Sequence, residues 1–291
     1  MEHQNEFQND LKLILTVLDL PEAVFAEKIG VNTPTVSNWL KGKYLPDLRS
    51  MKDVYSFAYD NGLRLNIAHE EPFRDLCRKQ GLTLLFHGTK KEIEGEVSLD
   101  YSKDKNDFGK GFYCGENFTQ AALFVAGHKN SSVYSFGLKT KGLKIKAFDI
   151  DTDWMLAIAY YRGLLNEYKD SEYLKKLTAA CEKQDIIIAP VADNRMFDLI
   201  AEFSEGRMTC EACAASLAAL DLGNQYVLKT EKAISRLGYM KQFYLCEEER
   251  ELYLNQAVQR YTDRSAAIKE NYRKYRNGRY IEEVLYEQAR S

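Results

Sequence analysis

Three short stretches hold side chains able to share a ligand. "FHGT" (86–89) sets His87 and Gly88 at the end of an apolar run. "DFGKGFYC" (107–114) holds Lys110 between Gly109 and Gly111, then presents Phe112 and Tyr113. "ENFTQAALFVA" (116–126) brings Phe124 up eleven residues after Tyr113. A histidine, a glycine with unobstructed N–H and C=O, and two aromatic faces suit a flat heteroaromatic ring: the rings stack on it and the backbone hydrogen-bonds its edge. A lone histidine beside a strand is more often a satisfied structural residue, so these residue types by themselves leave both readings open.

The elements that would position them read as follows. "LTLLFHGT" (82–89) has a buried-strand pattern, and "SSVYSFGLK" (131–139), "LKIKAFDI" (143–150), "QDIIIAPVAD" (184–193) and "NQYVLKT" (224–230) are further strand candidates. Helical patterns lie between them at 117–126, 152–179 and 206–220, which predicts an α+β domain from about residue 75 to 230. Ahead of it, residues 7–68 read as short helices. One predicted face carries Leu11, Leu13, Ile14, Val17 and Leu18, and "PDLRSMKDVYSFAYDNG" turns Leu48, Met51, Val54 and Tyr55 inward. From Glu231 onward the pattern is helical with no strand. The expected organisation is therefore 1–70 all-α, 75–232 α+β, and 233–291 a C-terminal helical extension.

The composition is globular, with 291 residues, 45% hydrophobic and 29% charged. A net charge of −3 means any nucleic-acid contact must come from a local patch. The polar, acidic start lacks the basic residues and apolar run of a signal peptide, and no run of about 18 apolar residues predicts a membrane span. Six cysteines spread over this length suit a reduced, cytoplasmic protein. Cys210 and Cys213 make one CxxC, which supplies only two zinc ligands, so small residues packed on a helix is the favoured reading and no metal is expected.

The segment "VFAEKIG", a short turn, then "TPTVSNWLKGK" resembles the helix-turn-helix domains of the lambda-repressor/Xre type. In that resemblance Ala26 lets the two helices approach, Val31 fills the turn, and Val36 and Trp39 are core. Thr33, Thr35, Ser37, Asn38 and Lys41 would face the DNA major groove, with Lys43 nearby for phosphate. Residues 1–70 carry seven Lys/Arg against ten Asp/Glu, which weakens the electrostatic attraction. One such domain reads one half-site, so a homodimer is expected. The competing reading is a helical bundle for protein contacts.

"FHGT", "FGKGFY" and "NQYVLKT" resemble, in order and spacing, the three signature strands of the diphtheria-toxin and poly(ADP-ribose) polymerase branch of ADP-ribosyltransferases. The resemblance covers roughly residues 82–232 and implies a split β-sheet core that binds NAD as co-substrate. It implies that the Gly88 backbone holds the nicotinamide carboxamide, that His87 hydrogen-bonds the adenosine-side ribose, and that Thr89 supports that contact. Tyr113 and Phe124 would sandwich the nicotinamide, and Lys110 would face phosphate or acceptor. Gln225 falls where the family has a catalytic glutamate. An amide accepts a hydrogen bond but neither neutralises an oxocarbenium-like ribose nor acts as a base, so polymer synthesis is disfavoured and single transfer is expected. Asp193 and Glu231 are candidates for a substitute carboxylate. Asn194 and Arg195 beside Asp193 are candidates for phosphate or acceptor contacts, with an ordinary capped loop weighed equally.

Taken together, these resemblances imply an intracellular bacterial mono-ADP-ribosyltransferase of the toxin or phage-defence kind. It would modify a protein or nucleic acid, dock or autoregulate on DNA, and be paired with a neutralising partner protein. The alternative is a transcription regulator whose ADP-ribosyltransferase-like domain only binds NAD or a related nucleotide. The basic, tyrosine-bearing run "KENYRKYRNGR" (269–279), with five of its six charges positive, reads as a solvated helix before it reads as a nucleic-acid patch.

Overall fold

The computed structural model describes residues 3–102, 105–218, 223–262 and 265–288; the side chains of 3–5, 101, 194, 260–262, 265 and 286–288 lie outside that description. The fold is mixed α/β. In chain order it runs α1 (His3–Val17), α2 (Glu22–Lys28), α3 (Thr33–Leu40), α4 (Leu48–Asp60), α5 (Leu65–Ala68), α6 (Glu70–Gln80), β1 (Thr83–Thr89), β2 (Phe112–Gly115), α7 (Phe118–Val125) and β3 (Ser132–Leu138). It continues with β4 (Ile145–Ala147), α8 (Thr152–Tyr161), α9 (Glu172–Glu182), β5 (Ile186–Pro190), α10 (Asn194–Ser204), α11 (Cys210–Ala218), β6 (Asn224–Leu228), α12 (Glu231–Ile234), β7 (Leu237–Tyr244), α13 (Glu247–Thr262), α14 (Ser265–Lys274) and α15 (Ile281–Gln288). Among the described residues no helix is long and apolar enough to cross a membrane. The chain forms two compact units, one of residues 1–95, 117–138 and 238–256, the other of 96–116, 139–237 and 257–291.

In the first unit the N-terminal helices close on one core. α1 contributes Phe7, Leu11 and Ile14, one helical face at i, i+4, i+7. Leu13 and Val17, expected on that face, point to solvent. Asn32 caps α3 by accepting from Thr35 N at 2.9 Å, and Val36 and Trp39 turn inward with Ala26. α4 buries Met51, Val54 and Tyr55, but Leu48, at its first position next to the Asp47 cap, is exposed.

Strand β7 stands where the pattern offered none. "LGYMKQFY" hides its strand character because Lys241 and Gln242 are buried polar residues with partners in the same unit. Lys241 Nζ donates to Asp10 at 2.7 Å, and the same buried carboxylate accepts from Tyr55 Oη at 2.7 Å and meets His69 Nε2 at 2.8 Å. Burial would raise the Asp10 carboxyl, but His69 and Lys241 outweigh it and hold it below its ordinary value. The unit's strands run β1-β3-β7, with β1 antiparallel to β3 from Thr83↔Leu138 to Thr89↔Ser132. Leu84, Phe86 and Val133 pack on Phe118, Ala121, Ala122 and Val125 of α7.

The second unit holds the run β4-β5-β6-β2. β6 is antiparallel to both β2 and β5, and β4 is parallel to β5. Its core surrounds α8, whose residues from Trp154 to Ala159 are all buried, so that helix reads apolar on every side. Ile268, Ile281 and Val284 of the C-terminal helices join this core. Cys210 and Cys213 face into it from α11, and all six cysteines are free and buried.

Candidate functional site

The loop 105–111 in the second unit is built by its own sequence. Gly109 adopts φ +71°, a left-handed turn position that favours glycine. Gly111 is needed for a different reason: a Cβ there would lie 2.8 Å from Val227 Cγ1 and 3.0 Å from Leu228 O on β6. Between them Lys110 extends outward and pairs with Asp100 at 2.6 Å, both side chains exposed. Phe108 is fully buried and stacks on Phe148, ring centroids 5.5 Å apart.

Tyr113 holds this turn. Its hydroxyl donates to Gly109 O at 2.7 Å and accepts from Phe108 N at 3.0 Å. Burial pushes the phenol far above its ordinary value, so it stays protonated and keeps donating. Lys229 Nζ donates to Phe108 O at 2.6 Å and pairs with Glu182 at 3.1 Å, and Ser102 Oγ accepts from Gly111 N at 3.2 Å. The loop is thus fixed by backbone contacts on both sides of Lys110.

Register puts Tyr113 opposite Val227 and Gly115 opposite Gln225. Paired residues of antiparallel strands share a face, as do residues two apart, so Tyr113 and Gln225 stand on the same face. Gln225 is buried, and its Nε2 donates to Asp107 Oδ2 at 2.9 Å and to Pro190 O at 3.1 Å. Asp107, whose side chain is 7% exposed, accepts on Oδ1 from Arg162 Nε at 2.9 Å and Nη2 at 2.6 Å. The guanidinium lies over the Phe197 ring at 5.1 Å. Asp107 and Arg162 were missed by sequence reasoning. Asp107 lies inside the quoted "DFGKGFYC" but signals only a loop, and Arg162 comes from the end of α8 with no local motif around it.

The other carboxylates considered sit elsewhere. Asp193 caps α10, its Oδ1 accepting from Met196 N at 2.9 Å. Glu231 is exposed in the first turn of α12. Arg195 is half-buried in the first turn of α10, and the Asn194 side chain lies outside the described residues.

In the first unit, His87 is half-buried on β1 opposite Tyr134. Gly88 points the other way, toward α7, where a Cβ would overlap the Ala121 carbonyl oxygen and approach Val125 Cγ1 to 3.0 Å. Strand–helix packing therefore already requires glycine there. Thr89 Oγ1 donates to Lys91 O at 2.7 Å, which uses its hydroxyl on the following turn. Phe124 is 74% exposed on α7, an uncovered aromatic face. Of the residues assigned to DNA, Thr33, Lys41 and Lys43 are exposed, while Thr35, Ser37 and Asn38 are half-buried. The Thr35 hydroxyl donates to the Asn32 cap at 2.7 Å. Val31 N donates to Ala26 O at 2.9 Å and Gly30 takes φ +71°, which closes the turn between α2 and α3.

Among comparisons with known proteins, the family described as "Protein of unknown function (DUF3990)" matches residues 83–239. No curated protein and no solved structure matches the chain. The match begins in β1, takes in the 105–111 loop, Tyr113 and Gln225, and ends within β7. It spans more than half of the sequence, and on that ground the chain belongs to the DUF3990 family.

Proposed function

We propose that the protein is an NAD-dependent mono-ADP-ribosyltransferase, with α2 and α3 serving as a helix-turn-helix that docks it on DNA or regulates its own expression. The observation that carries the reading is the placement of the second and third signature positions: Tyr113 and Gln225 share one face of antiparallel strands β2 and β6. The face they form combines an aromatic ring with an amide oxygen, which suits a ring that stacks and a ribose whose hydroxyls need an acceptor. Departure of nicotinamide leaves positive charge on the ribose carbon. An immobile site that orients the ribose lowers the cost of reaching that state. Gln225 supplies orientation without a base, which fits one transfer and not chain growth. The acceptor is a protein or nucleic acid, and the biological setting that agrees with the reading is a bacterial toxin or phage-defence effector.

The test is incubation with labelled NAD and cell lysate. Transfer of label that disappears in His87→Ala and in Tyr113→Ala supports the enzyme. The neutral Gln225 favours one second reading, a regulator that binds NAD and does not consume it. Saturable binding without nicotinamide release would establish that reading in place of the first.

A further inference from the structure

The Gln225 amide is fixed in one orientation. Both partners of Nε2, the Asp107 carboxylate and the Pro190 carbonyl, only accept hydrogen bonds. The flipped amide would set its oxygen against two acceptors. Asp107 in turn cannot rotate away freely, because Arg162 grips Oδ1 with two donors. With both amide N–H groups engaged, Oε1 is the hydrogen-bonding atom Gln225 has left to offer.

We infer that Asp107, clamped by Arg162, is a positioning residue that turns the Gln225 amide so that Oε1 accepts a hydrogen bond from a ribose hydroxyl of the bound dinucleotide. This rests on the NAD reading above and adds its specificity: the site selects for the hydroxyl and gives it no base. The charge of Asp107 is matched by Arg162, so the carboxylate acts through Gln225 rather than on the ribose cation.

Asp107→Asn preserves the shape and tests the idea. The two Arg162 donors keep the asparagine oxygen facing them, which turns its N–H groups toward Gln225 and removes the acceptor. Affinity is measured by calorimetry for NAD and for analogues lacking one hydroxyl on the nicotinamide-side ribose. In the wild type, one of the deoxy analogues binds about tenfold more weakly than NAD, the scale of one hydrogen bond. In Asp107→Asn, NAD weakens by about the same factor while that analogue is unchanged, so the discrimination disappears. Arg162→Lys, which keeps the charge but loosens the grip, reduces the discrimination part of the way and serves if Asp107→Asn does not fold. Equal weakening of NAD and analogue, or undiminished discrimination in a folded variant, overturns the inference while leaving the NAD reading intact. Wild-type protein that binds no NAD overturns both.

Discussion

Replacing Gln225 by glutamate, the residue of the resembling family, would set a second carboxylate against Asp107 at hydrogen-bond distance, where an amide N–H now donates. Two such groups share a proton, so one carboxyl titrates above its ordinary value. An acid whose folded value is raised contributes most stability at low pH and loses it as pH rises. Gln225→Glu is therefore expected to be close to wild type near pH 5 and less stable by about 1–3 kcal/mol at pH 8, read by urea unfolding at the two pH values. A carboxylate at 225 is thus not expected to stay ionised beside Asp107 unless Asp107 is neutralised as well. Gly88 gives a second residue-scale test. Gly88→Ala drives a methyl into the Ala121 carbonyl of α7 and should cost about 1–3 kcal/mol by overpacking, measured by the same unfolding curves. Loss of activity in that variant would therefore not by itself report a ligand contact.

Among the elements, α13 carries a buried acid that makes the first unit pH-sensitive. Glu249 accepts from Asn66 Nδ2 at 2.6 Å, and burial pushes its carboxyl up to about 7. Its proton is held more tightly in the folded than in the unfolded chain. Stability is therefore fullest below the ordinary 4.5 and declines as pH climbs toward 7. The penalty at pH 8 is about 3 kcal/mol. Glu249→Gln should gain stability over wild type progressively from pH 5 to pH 8, and a gap that stays constant would show that Glu249 is not the titrating group. The elements most legible in the sequence were those with an unmixed pattern: β1, β3, β5 and β6 fall inside the predicted strands. β7 was not legible because its inward Lys241 and Gln242 depend on Asp10 and Ser132, far away in sequence. The candidate site divides in the same way. In the second unit Tyr113 and Gln225 announce themselves by local motif, whereas the Asp107–Arg162 clamp exists only because α8 ends beside the loop.

For the molecule as a whole, the N-terminal helices do not form a unit of their own. Their core includes Cys246 and takes Tyr244 against it, and the charge of Asp10 is met by Lys241 from β7. Residues 1–70 expressed alone would leave Asp10 without that cation and uncover part of the apolar core. Such a fragment should lack a cooperative thermal transition, checked by circular dichroism melting. In the full chain Asp10→Ala removes the partner of a buried ammonium and should cost about 3–5 kcal/mol in urea unfolding. DNA binding is best assayed on the full chain for the same reason.

The six buried thiols give the protein an internal clock for its own opening. Cys77 and Cys246 lie in the first unit, and Cys114, Cys181, Cys210 and Cys213 in the second. A thiolate reacts with an alkylating reagent only when water and reagent reach it, and burial pushes these thiols up, which slows the reaction further. Timed alkylation followed by peptide mapping would therefore date the exposure of each unit separately, with no engineered probe and with the native sequence as its own reporter.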